Sequence, residues 1–103
     1  MKLLSIIFAV LMSLNVMAQS TCTVIAPHDP ELTRGINKDT ICKESAYALK
    51  ERYGSMPATL EIKVTGRATY SVDLFIVFST DEGLDSHYGV LIWFPGESYV
   101  RLH

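Results

Sequence analysis

The sequence predicts an α+β domain: one helix packed on a four-stranded antiparallel meander, with an N-terminal arm or hairpin ahead of it. Three observations carry this. Cys42, Ala46, Leu49 and Tyr53 recur at helical spacing. Leu60, Ile62 and Val64 then alternate with Thr59, Glu61, Lys63 and Thr65, the period of a strand with one face in a core. Leu74 through Phe78 are apolar without a break, as in a central strand covered on both faces.

The chain opens like a secretory leader. Lys2 supplies a positive start, and Leu3 through Val16 are apolar except for Ser5, Ser13 and Asn15. Val16 and Ala18 then stand at the −3 and −1 positions of a cut before Gln19, the small-residue pattern a signal peptidase reads. Cleavage after Ser20 is a second option. The competing reading is a membrane anchor, but the apolar run falls short of the roughly 20 residues that span a bilayer and has no basic flank. Cys22 follows Gln19-Ser20-Thr21, which is no lipobox. The expected organisation is thus a signal peptide over 1–18 and a single secreted domain over 19–103, with no membrane contact after cleavage.

Removing Lys2 with the leader leaves eight Lys and Arg against eleven Asp and Glu, a net charge of −3. That balance disfavours nonspecific binding to nucleic acid, which needs clustered basic side chains to neutralise phosphates. Cys22 and Cys42 form an even pair, read as a disulfide in an oxidising compartment. A metal site is the alternative, with His28 as the one further soft ligand nearby. The bridge would tie the start of the domain to the first turn of the helix.

Each element follows in order. Pro27, Asp29, Pro30, Gly35 and Asn37 make 19–37 turn-rich, with short strands expected at Thr21–Ala26 and Glu31–Arg34. Asn37 or Asp39 caps the helix, Gly54 ends it in a left-handed conformation, and Pro57 prevents a restart. Leu60 to Thr65 is the first long strand, and Gly66-Arg67 is the expected turn. Tyr70, Val72 and Leu74 lead into the apolar strand, whose second face must be covered by the arm, a long loop or a partner. Thr80 through His87 reads as an acidic loop, Tyr88 through Phe94 as a strand, Pro95-Gly96 as a tight turn, and Ser98 through Leu102 as the closing strand.

No motif with a strong mechanical signature is present: no Gly-rich phosphate loop, no His-Glu-x-x-His, no Gly-x-Ser-x-Gly and no Cys-x-x-Cys. The acidic stretch from Asp81 to His87 lacks the alternating oxygen ligands and terminal Glu of a calcium loop, and no metal or other cofactor is expected. Asp73 interrupts the central strand, where a carboxylate must be paired, have a raised pKa, or face open solvent. Arg67 and Lys63 are its candidate partners. His28, His87 and His103 read as surface histidines. Tyr88, Trp93, Phe94 and Tyr99 cluster around the last hairpin and read equally as core or as an interaction surface, exposed aromatics being enriched at hot spots.

From the helix onward, the chain resembles the RNase-like secreted effectors of powdery mildew fungi, and behind them the small fungal guanyl-specific ribonucleases. The resemblance rests on Tyr-Gly-Ser-Met-Pro-Ala-Thr-Leu-Glu-Ile over 53–62, the Tyr-Ser-Val-Asp-Leu-Phe strand, and the strand–turn–strand Tyr88–His103 with its Gly-x-Ser-Tyr. It implies a ribonuclease-like fold. The ribonucleases use a tyrosine and histidine on the first long strand, then a glutamate, an arginine and a closing histidine. Met56-Pro57-Ala58 stands at the first pair, Val72 or Asp73 at the glutamate, and Gly89 at or near the arginine. His103 alone matches. Base, phosphate clamp and substrate-side tyrosine are missing together, so the resemblance implies a catalytically degenerate relative, with Asp73 and His103 as vestigial positions. The effectors usually place their second cysteine near the C-terminus, whereas here it is Cys42.

The expected function is therefore a secreted, non-catalytic effector that binds a host protein, such as an immune receptor, to modulate plant immunity, with RNA as a weaker partner. The alternative is a bacterial periplasmic inhibitor or immunity protein that blocks an enzyme. An active ribonuclease using Asp73 with His103 is the third reading.

Overall fold

A computed structural model describes residues 21–94 and 97–103, with only the backbone of Phe94. The leader, its cleavage point and the Pro95-Gly96 turn lie outside the described residues. Five strands and one α-helix follow in order: β1 (Thr21–Ile25), α1 (Lys38–Tyr53), β2 (Thr59–Ala68), β3 (Ser71–Thr80), β4 (Gly83–Phe94) and β5 (Glu97–Leu102). They form one sheet in the order β1-β2-β3-β4-β5. The last four strands are the expected antiparallel meander. The strand expected at Thr21–Ala26 is present as β1, and what is corrected is the hairpin offered for the arm. The arm makes no hairpin; β1 joins the sheet as a fifth strand, parallel to β2, with Thr21 opposite Thr59 and Ile25 opposite Lys63. A parallel pair needs a long crossover, and α1 supplies it.

The second expected arm strand is instead a 3-10 turn, Pro30–Thr33. Asp29 caps it, its carboxylate accepting from the Glu31 amide at 3.0 Å, and Pro30 occupies the first turn, where a missing N–H costs nothing.

The helix starts and stops where local chemistry dictates. The Asn37 side chain accepts from the Asp39 amide at 2.8 Å. Gly54 sits at φ +87°, and its N–H reaches the Lys50 carbonyl at 2.7 Å. Ile41, Ser45, Ala46 and Leu49 form the buried stripe. Tyr53, expected in that stripe, is about half exposed at the C-terminal end of the helix, its ring centre 5.4 Å from that of Phe78. The helix packs over β5, β1 and the strands between them. Beneath it lie Val24, Leu60, Ile62, Val64, Val72, Leu74, Ile76, Phe78, Leu91 and Val100. The Cys22–Cys42 disulfide is formed and links β1 to α1.

Two turns fall elsewhere than expected. β2 runs through Gly66-Arg67 to Ala68, and the turn is Thr69-Tyr70. The register shifts between Val64 and Gly66, leaving Thr65 as an extra residue in a bulge. The acidic stretch is mostly strand: Thr80 pairs with Gly83, so Asp81-Glu82 alone form the turn and β4 continues through Leu84 to His87. Thr80 Oγ1 closes it, accepting from the Glu82 amide at 3.2 Å and donating to the Gly83 carbonyl at 3.0 Å.

Candidate functional site

The helix covers one face of the sheet. Among the described residues, nothing covers the other. The apolar run of β3 implies a cover for this face from the arm, a long loop or a partner; among the described residues neither arm nor loop supplies it, and Phe75 and Val77 are half-buried. The arm that could have lain over them went to the sheet edge, where its backbone pairs with β2.

Strand register arranges the open face in rows. Ile25, Lys63, Phe75 and Tyr88 lie side by side across β1 to β4. On one side of that row are Thr23, Glu61, Val77 and Ser86; on the other, Asp73, Val90 and Arg101. Ser71, Ile92 and Tyr99 complete the surface. Tyr88 is 61 % and Tyr99 42 % exposed. The Phe75 and Tyr88 rings are 4.9 Å apart and tilted, a cross-strand aromatic pair standing on solvent.

Of the aromatics expected to work together, Tyr88 and Tyr99 share this face and Trp93 does not. Trp93 points to the helix side, half-buried, with the Arg67 guanidinium 5.7 Å from its ring centre. The bulge at Thr65 explains that contact. One extra residue reverses the alternation of β2, so Arg67 emerges opposite Val72 on the helix side. Its guanidinium then donates to the Arg34 carbonyl at 2.6 Å and the Glu31 carbonyl at 3.4 Å, pinning the 3-10 turn to the sheet. A cavity of about 350 Å³ lies beside it, lined by Asn37, Thr40, Arg67, Trp93 and Glu97 among others. Strict alternation along β2 hides this cluster from a reading of the sequence.

The bulge also separates Asp73 from Arg67. Asp73 is exposed on the open face beside Gly66 and Val90. Among the described residues it makes no ion pair with Arg67 or Lys63; the ion pair found is Arg34 with Glu31 at 3.2 Å. His103 continues the open-face side of β5, its amide bonded to the Tyr88 carbonyl at 3.0 Å. Asp73 and His103 thus lie two strands and two residues apart, with Cα atoms roughly 12 Å from one another at ordinary strand spacings. Arg101, not His103, is in register with Asp73 through Val90.

The other positions named by the resemblance have different surroundings. Met56 is exposed and Pro57 buried, just ahead of β2. Val72 is fully buried under the helix. Gly89 is buried where β5 comes close: a Cβ there would meet the Arg101 carbonyl at 3.2 Å and Leu102 Cδ2 at 3.3 Å. His28 is exposed in the turn after β1. His87 is on the helix side, edge-on to Tyr53 at 6.4 Å, with Nδ1 2.9 Å from the Tyr88 carbonyl oxygen. Among the described residues, no group of three His, Cys, Asp or Glu is placed to hold a metal, and no helix is long and apolar enough to cross a membrane. Comparison with known proteins returns no matching family model, no matching characterised protein and no matching solved structure.

Proposed function

We propose that the chain is an exported binding protein, of the non-catalytic RNase-like effector kind that its sequence resembles, and that it recognises a host protein through the open face of its sheet. One observation carries the reading. Tyr88 and Tyr99 stand exposed on one sheet face with Phe75, Val77 and Ile92 half-buried among them, and no layer of the described chain lies over them. Aromatic side chains offer large contact areas at low entropic cost, and contiguous exposed apolar surface marks interaction sites. Glu61, Lys63, Asp73 and Arg101 give that surface a charged pattern of both signs, which sets orientation more than affinity. The leader-like start of the sequence and the Cys22–Cys42 bridge fit an exported chain.

The test compares the exported chain with a Tyr88→Asp/Tyr99→Asp variant in binding to host secretions, with RNA cleavage measured alongside. The expected result is a host protein retained by the wild type and lost by the variant, with no RNA cleavage. A partner that proves to be a bacterial wall hydrolase would replace the effector reading with the periplasmic inhibitor. RNA cleavage abolished by His103→Ala would overturn the non-catalytic reading altogether.

A further inference from the structure

The β5 edge of the sheet is a surface of a second kind, and its occupant can be argued from the backbone. In an antiparallel ladder, residues alternate between those bonded to the neighbouring strand and those whose N–H and C=O point away. The His103 amide donates to the Tyr88 carbonyl, which sets the phase: Arg101 and Tyr99 also bond inward to β4. Ser98, Val100 and Leu102 therefore present their backbone groups outward. Natural edges are blunted by proline, lysine, bulges or a covering loop. β5 reads Glu-Ser-Tyr-Val-Arg-Leu, has no register shift against β4, and no described element pairs with its outer side. A groove of about 430 Å³ runs between this edge and α1, lined by Tyr47, Ala48, Val100 and Leu102 with Glu44 and Glu51 at its rim.

We propose that this edge pairs with the same edge of a second copy, β5 against β5 in antiparallel fashion about a two-fold axis at Val100. That register sets Ser98 opposite Leu102 of the partner and Val100 opposite its own copy, so every outward donor and acceptor of the three residues is satisfied. On the open face it brings Arg101 beside Tyr99 of the partner, twice over, in reach of a cation–π contact. Glu97 falls beside His103 of the partner. Sliding the pairing so that the axis falls at Arg101 would instead set two guanidiniums against each other, which the like-charge penalty disfavours. A two-fold pairing closes on itself and leaves one continuous sheet of ten strands. Its two helices lie on one side, with the exposed Tyr47 of each beside the groove. The inference does not depend on the function proposed above.

Sedimentation of the purified protein, from micromolar to millimolar concentration, reads the assembly directly. The expected result is a twofold rise in mass, abolished by Ser98→Pro. Proline is tolerated where the lost N–H faces away from the sheet, so that variant keeps its β4 ladder and should melt as the wild type does. If Ser98→Pro fails to fold, Arg101→Glu serves in its place. Amide exchange gives an independent check without substitution: the Val100 and Leu102 amides become protected as concentration rises, while those of Tyr99 and Arg101 are protected throughout. A mass that stays monomeric at millimolar concentration overturns the proposal. So does a dimer that Ser98→Pro or Arg101→Glu leaves intact, or an assembly that grows beyond two copies.

Discussion

Breaking the Cys22–Cys42 bridge should cost this domain much of its stability. The bridge spans 20 positions of sequence. Closing a loop of that length removes enough freedom from the unfolded chain to be worth about 3 kcal/mol on the chain-entropy relation. Small domains carry only about 5–15 kcal/mol in total, so the loss is a large share. For a domain of this size, each kcal/mol moves the melting point by about 4–8 °C, and the expected fall is roughly 12–24 °C. Both cysteines are half-buried, so serine at each adds little burial penalty of its own. The assay is a circular-dichroism melt of the oxidised chain beside a Cys22→Ser/Cys42→Ser variant. Hydrogen exchange should place the damage first in β1, because the bridge holds that strand to the helix while its backbone holds to β2. A variant melting within about 3 °C of the oxidised protein would refute the argument, since the loop-closure cost is general.

Three further outcomes follow from particular contacts. Ser45 is fully buried in α1 and its Oγ has no hydrogen-bond partner among the described residues, so Ser45→Ala should stabilise by about 1 kcal/mol in urea denaturation; a loss of stability would show that the hydroxyl is satisfied. Arg67→Ala removes the clamp on the Arg34 and Glu31 carbonyls and the cation over Trp93. As Trp93 is the one tryptophan of the chain, its emission should shift and amides over 31–35 should exchange faster, at a cost of about 1 kcal/mol; an unchanged spectrum would count against the contact. Tyr88→Ala breaks the ring pair with Phe75 and should cost about 0.5–1.5 kcal/mol by denaturation, and no change would mean the pair is not populated in solution.

What the sequence discloses about this fold is what short-range chemistry controls. Asn37 and Gly54 bound the helix because caps act on their own immediate backbone. The alternation from Leu60 and the apolar run at Leu74–Phe78 mark β2 and β3, the latter at the centre of the sheet. The destination of β1 was not legible, because a five-residue strand bears no mark of whether it will pair locally or with a segment beyond the helix. Pro30 and Asp29, turn formers in the sequence, are also an N-terminal signal for the 3-10 turn. The bulge at Thr65 left no trace in residue type, yet it decides that Arg67 meets Trp93 rather than Asp73. The aromatic cluster was visible as composition. Its division between Tyr88 and Tyr99 on one face and Trp93 on the other depends on strand parity, and neighbours in sequence cannot share a face. The polar run after Thr80 read as loop because it lacks apolar alternation, and β3 recruits it into pairing nonetheless.

The parallel placement of β1 sets an order on how the molecule can be assembled. β2 to β5 join through tight hairpins, so their contacts are local and can form quickly. β1 is made first but has no partner until α1 and β2 have followed it, and its register is closed over the longest span of chain in the sheet. A chain being synthesised N-terminus first thus exposes β1 before anything exists for it to bind. The meander can mature around an empty edge of β2, and the final event is the docking of β1, which the Cys22–Cys42 bridge then ties to α1. Folding of this domain should end at its own beginning, with the thiols of Cys22 and Cys42 as the reporters of that last step.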